Sequence, residues 1–142
     1  MSGKNERRPP HDHGADDADS VDQTPDTGGE SSALREFREF RERMNAEILG
    51  EQNLVINRFF ALDTRAYEAG ALDVKTKELL GLVASMVLRC DDCITYHVVR
   101  CQEEGVSRAE AFEAMSVGLV VGGSIVIPHL RRAVARWSEL EG

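Results

Sequence analysis

The chain has 142 residues, 42% of them hydrophobic and 30% charged, and its 17 basic residues against 25 acidic ones give a formal net charge of −8. That length suits one domain able to bury a real core, while the acidic balance supplies no basic stripe for phosphates and so argues against nucleic acid and anionic membranes as partners. The longest apolar run, VGLVVGGSIVI at 117–127, is too short and glycine-rich to span a bilayer, and the opening MSGKNERRPPHDHGADD lacks the apolar core of a secretory signal, so the expected compartment is the cytoplasm.

Residues 1–31 hold eight acids against three bases, and Val21 is their one large apolar residue after Met1. Such a segment cannot bury enough surface to offset chain entropy, so it reads as a disordered acidic arm ahead of a helical domain over 32–142. His11 and His13 with the nearby aspartates could hold a stray divalent cation. A solvating tail is the simpler reading, because a floppy site must be ordered on binding.

From Ser32 onward the periodicity is helical. Leu34, Phe37, Phe40, Met44 and Ile48 recur at spacings of three and four behind an N-cap at Ser31 or Ser32, and this helix is expected to stop near Gly50. NLVINRFFAL forms a second element after Asn53, and DTRAYEAG reads as a short third one opening on Asp63 and closing at Gly70. Asp73 caps VKTKELLGLVASMVLR, whose leucines, valines and Met86 suit a helix buried on most sides. A further helix runs from about Asp91 to Gly105; SRAE at 107–110 has the form of a capping box opening a helix over 108–121; and after GGS a last helix follows with Pro128 in its first turn. No strand-like alternation competes, so the expected class is all-α, with five or six helices.

The chemistry-bearing residues crowd into RCDDCITYHVVRC, residues 89–101, which contains all three cysteines and a histidine. At about 100° per residue, Cys90, Cys93, His97 and Cys101 fall on one helical stripe. Cysteines three apart have Cα atoms about 5 Å apart, within disulfide range, whereas Cys101 lies about 12 Å beyond Cys93 and reads as a small buried hydrophobe. The helix N-terminus favours thiolate over thiol, and His97, one turn after Cys93, can serve as its base. In a reducing compartment such a pair is redox-active, metal-binding or inert, and spacing alone leaves all three open. A closed zinc site would need a fourth ligand, for which His129 is the distant candidate; otherwise His129 reads as a polar surface or interface residue. Glu78, on a half-polar stripe with Lys75, reads by pattern as a surface acid paired with that lysine or with solvent.

CDDCITYH fits Cys-x-x-Cys-x-x-x-His, with Glu78 twelve residues before Cys90 and GGSIVIPHLRRA opening the last helix. Over about residues 33–140 the chain resembles the alkylhydroperoxidase D-like branch of the carboxymuconolactone decarboxylase family, small all-helical proteins that assemble as trimers or hexamers. The resemblance implies that Glu78, Cys90, Cys93 and His97 form a thiol peroxidase site with a proton relay. It further implies a Cys90–Cys93 redox disulfide, a hydroperoxide substrate, a thioredoxin-like or lipoamide-bearing dithiol protein as reductant, and no metal or organic cofactor. It reverses the surface reading of Glu78. A second reading keeps the same thiols as a non-enzymatic redox or metal-responsive sensor. Ring-opening decarboxylation is the weakest reading, because the decarboxylases of this family do not use the cysteine pair. One departure stands out: where the best-known peroxidase has a histidine before the second cysteine, this chain has Asp92 beside Asp91, and carboxylates there oppose thiolate formation unless they are engaged in capping.

Overall fold

The computed structural model describes residues 31–142, so all but the last residue of the expected acidic arm lies outside the described residues. Six α-helices follow in order: α1 (Ser32–Gly50), α2 (Leu54–Ala66), α3 (Val74–Leu88), α4 (Asp91–Glu103), α5 (Arg108–Gly122) and α6 (Ile127–Glu141), with a single 3-10 turn at Ser124–Val126 ahead of α6. There is no strand among the described residues.

The starts follow from side chains that satisfy otherwise unpaired backbone N–H groups. Ser31 Oγ accepts from Leu34, Asn53 from Val55 and Ile56, and Asp73 from Thr76. Ser107 and Glu110 form the reciprocal capping box that SRAE predicts. The ends are less regular. Gly105 takes a left-handed φ of 73° after α4, which lets the Val106 N–H return to the Cys101 carbonyl at 2.8 Å. Arg89 takes the same left-handed region at φ 61°, costly for a residue with a Cβ, and turns the chain from α3 into α4 within two residues.

One expected element is corrected. DTRAYEAG does not open a helix of its own: Asp63 and Thr64 lie inside α2, which continues to Ala66 before a turn through 67–73. Asp63 caps nothing because the apolar run before it already supplies the preceding helical turns. Thr64 stays within that ladder by bonding its hydroxyl back to the Phe60 carbonyl at 3.1 Å.

The core lies among the last four helices. Leu82 and Met86 of α3, Ile94 and Val98 of α4, Met115 of α5 and Trp137 of α6 pack together with almost no exposure. α3 packs on both α4 and α5, and α4 also packs on α6. Cys101 sits fully buried in this cluster, and burial pushes its thiol up to about 12. Helices α1 and α2 sit outside it. Leu34 is the one buried residue of α1 and α2 has none, so the apolar stripe predicted for the first helix mostly faces elsewhere.

Candidate active site

The turn at Arg89 delivers Cys90 to the start of α4, where it is the N-cap residue in extended conformation (φ −96°, ψ 95°) rather than a member of the helix. Its sulfur accepts the Cys93 N–H at 3.3 Å. Cys90 and Cys93 are joined as a disulfide with Cα atoms 5.3 Å apart. The predicted stripe therefore slants from solvent into the core: Cys93 is exposed, Cys90 half-buried, His97 buried and Cys101 fully enclosed.

Glu78 is 1% exposed, so the pattern-based reading of it as a surface acid fails. Lys75, its expected partner, reaches across to Glu110 instead, at 2.8 Å. That lysine, with hydrogen bonds from Ser107, holds the Glu110 carboxyl down at about 2. Glu78 turns inward because it lies on the side of α3 that packs against α4, where its Oε2 is 2.8 Å from His97 Nδ1 and its Oε1 is 3.4 Å from Arg100 Nε. A carboxylate so placed accepts on both oxygens, which puts the imidazole proton on Nδ1 and leaves Nε2 as an acceptor. The hydroxyl of Tyr67 stands 3.3 Å from that Nε2 and donates to it.

Two further features hold the imidazole. Gly81, one helical turn after Glu78, has no side chain, and the His97 ring occupies the space its Cβ would fill. Tyr96 meets the ring edge-on at a centroid distance of 5.1 Å. Tyr67 and Gly81 escaped the sequence reading. Neither stands in a spacing relation to the Cys-x-x-Cys, and both join it only when the end of α2 and the inner face of α3 meet His97 of α4.

Cys93, His97 and Tyr67 open onto a cavity of about 420 Å³ whose far wall is the α1 stripe of Phe37, Phe40, Met44 and Ile48. Arg41 stacks over Tyr96 at 4.3 Å on the same wall, and Asp92 stands at its rim.

Asp91 is turned away from the sulfurs. It bonds His129 Nδ1 at 2.7 Å and the Arg132 guanidinium, both on α6. Burial opposes its ionisation, but the hydrogen bond from His129 and the charge of Arg132 outweigh that and hold the carboxyl below its usual range. His129 is thus an internal tether between α6 and the start of α4. Among the described residues, no group of three or more His, Cys, Asp or Glu side chains is arranged to hold a metal ion.

Residues 54–136, more than half of the chain, match the sequence profile of the carboxymuconolactone decarboxylase family. The chain belongs to that family. A Paracoccus denitrificans protein of the cox locus is 31% identical over 84 residues, which is 59% of this chain and 76% of that protein. A Thermotoga maritima protein is 60% identical; one of its crystal structures covers 75% of this chain and 94% of its own, with a TM-score of 0.74. A second structure of it, TM-score 0.72, describes a carboxymuconolactone decarboxylase family protein with a suggested involvement in antioxidative response. A Legionella pneumophila family member, 23% identical with a TM-score of 0.72, shares the fold over 79% of this chain. The all-helical family fold expected from the Glu and Cys-x-x-Cys-x-x-x-His pattern is the fold observed.

Proposed function

We propose that this protein is an alkylhydroperoxidase D-like thiol peroxidase, with Glu78, His97, Cys93 and Cys90 as its working residues. One observation carries the reading: His97, its Nδ1 held by the buried carboxylate of Glu78, faces the same cavity as an exposed cysteine already paired with its neighbour. Glu78 orients the imidazole and stabilises its protonated form, so the pair can take up the thiol proton of reduced Cys93. The thiolate attacks the terminal oxygen of a hydroperoxide, forming the S–O bond as the O–O bond breaks, and becomes a sulfenic acid. Cys90 condenses with it, releasing water and forming the disulfide. A dithiol protein, thioredoxin-like or lipoamide-bearing, returns the pair to thiols by exchange at the exposed Cys93 sulfur. No step requires a metal or organic cofactor.

The antioxidative role suggested for the Thermotoga relative agrees with this reading. The Asp91 tether removes part of the objection raised by the two carboxylates, since one of them is paired away from the sulfurs. The working assembly is a homotrimer or homohexamer, supported by the apolar side chains left in solvent: Val120 is 86% exposed, Val55 77% and Leu88 76%.

The test is a thiol count on the reduced full-length protein before and after one equivalent of hydroperoxide, with a metal assay on the same sample. Loss of two thiols per chain, with Cys101 retained, is the expected result. Unchanged thiols with about one zinc per chain would overturn it in favour of a metal-responsive binding protein.

A further inference from the structure

We propose that Tyr67 is the acid of the reaction: its hydroxyl, hydrogen-bonded to His97 and lining the same cavity as Cys93, protonates the alkoxide that leaves the hydroperoxide. The inference rests on the peroxidase reading above and adds to it the group that faces substrate.

Both imidazole nitrogens are engaged, Nδ1 with Glu78 at 2.8 Å and Nε2 with the Tyr67 hydroxyl at 3.3 Å. No ring nitrogen is left to meet the peroxide directly. The outermost polar atom of the series Glu78, His97, Tyr67 is the phenol oxygen. Its position is built rather than incidental. Tyr67 closes α2, and Lys77 of α3 donates to the backbone carbonyls on either side of it, Ala66 at 2.9 Å and Glu68 at 2.5 Å. The ring also lies against that of His97, with centroids 5.3 Å apart.

The charged and titratable groups around the phenol come from every neighbouring helix: Arg41 on α1, Asp63 on α2, Glu78 on α3, and Tyr96 and His97 on α4. Burial, then the nearby charges of Glu78 and Asp63, raise its pKa, so the phenol carries its proton throughout the neutral range. An alkoxide is comparable in basicity to hydroxide, a far stronger base than a phenolate. A phenol sits near 10, so proton transfer to the alkoxide runs downhill.

The step balances without any further reagent. His97 Nε2 takes up the Cys93 thiol proton, giving thiolate and an imidazolium whose Nε2–H now donates to the phenol oxygen and leaves the phenol O–H free to face the peroxide. Sulfur then gives two electrons to the O–O bond and takes the terminal OH, becoming sulfenic acid. The departing alkoxide takes the Tyr67 proton to become alcohol, and the phenolate recovers the imidazolium proton. Thiol and hydroperoxide have become sulfenic acid and alcohol, with the relay restored.

The experiment compares two oxidants in single turnover with the reduced full-length protein, wild type and Tyr67→Phe. Cumene hydroperoxide expels a basic alkoxide that needs a proton. Dithiodipyridine expels a stabilised thiolate that does not. Loss of Tyr67 is expected to slow the hydroperoxide reaction on the order of 100-fold. The dithiodipyridine reaction should stay within about twofold, because its rate depends on the thiolate and its leaving group alone. Equal slowing with both reagents would mean that Tyr67 only supports His97 or the fold, and equal speed would mean it does nothing; either overturns the proposal. As a second variant, 3-fluorotyrosine at 67, a more acidic phenol, should move the alkaline limb of the hydroperoxide rate to lower pH, and an unmoved limb overturns it too. A wild type that reacts with dithiodipyridine but with no hydroperoxide defeats the peroxidase reading itself, before any variant is compared.

Discussion

Gly81→Ala sets two well-measured effects against each other at the centre of the site. Alanine in a helix interior is favoured over glycine by about 1 kcal/mol, so helix propensity alone makes the variant more stable. The structure opposes this. A Cβ at 81 would stand 2.4 Å from His97 Cε1, 2.7 Å from Nε2 and 2.8 Å from Nδ1. Carbon atoms in contact keep about 3.5–4.0 Å, so the ring must retreat by roughly 1 Å. A retreat of that size breaks the 2.8 Å bond to Glu78. Overpacking costs about 1–3 kcal/mol, and a buried carboxylate deprived of a partner costs about 1–3 kcal/mol more. Offset by the propensity gain, the net loss centres near 3 kcal/mol, or a fall in Tm of roughly 10 °C for a domain of this size. Calorimetry reads the stability, and the rate of iodoacetamide alkylation of reduced Cys93 at neutral pH reads the state of the relay; both are expected to fall. A variant that melts at or above wild type with unchanged Cys93 reactivity would show that the imidazole has room, and would refute this account of how it is held.

Cys93→Ser should abolish reaction with hydroperoxide, whereas Cys90→Ser should react once and accumulate a sulfenic acid that mass spectrometry detects after trapping; a trapped adduct on Cys90 in the Cys93→Ser protein would invert the assignment. The Asp91 carboxyl is held below its usual range, so its tether contributes stability that is full above about pH 4 and is lost as pH falls through the folded-state value. Because Asp91 is 37% exposed, the effect is a few tenths of a kcal/mol, and Asp91→Asn should flatten that part of an acid-unfolding curve and leave neutral pH kinetics unchanged. Removing residues 1–30 should leave Tm unchanged, whereas taking Ser31 as well removes both the α1 cap and its 2.9 Å bond to Glu139, costing about 1 kcal/mol; equal melting of the two truncations would show that the cap carries nothing. Light scattering at micromolar concentration should give the mass of a trimer or hexamer, and a monomer mass would sink the proposed assembly.

The helices were legible because their punctuation is local. Asn53, Asp73 and Ser107 each cap a helix that their neighbours in sequence already announce, and Gly105 ends one for the same reason. Where punctuation misled, at Asp63, a capping residue type lay inside a helix already under way, and the ladder overrode it. The sulfur pair was legible because both members lie within one turn. Glu78 was not, since its neighbours along α3 are half polar and only contact with α4 reveals why a carboxylate is buried there; the family resemblance, rather than periodicity, pointed to it. Tyr67, Lys77 and Gly81 were beyond both routes. A phenol at a helix end, a lysine and a helical glycine carry no distinguishing spacing, and their roles arise from where α2 and α3 meet His97.

Lys77, Glu78 and Gly81 occupy little more than one turn of α3, and between them they set the phenol, the imidazole proton and the imidazole position. A single residue inserted ahead of Lys77 turns this group about 100° and advances it about 1.5 Å, removing all three at once. The site can therefore drift in composition around its edges but cannot change length in that helix. The cavity wall on α1 is under no such constraint, because only Leu34 of that helix is buried and Phe37, Phe40 and Met44 project from a surface the core does not depend on. Under the proposed function, reactivity and selectivity therefore rest on separate helices, and substitutions along α1 are expected to change substrate preference while the proton relay held by α3 stays fixed.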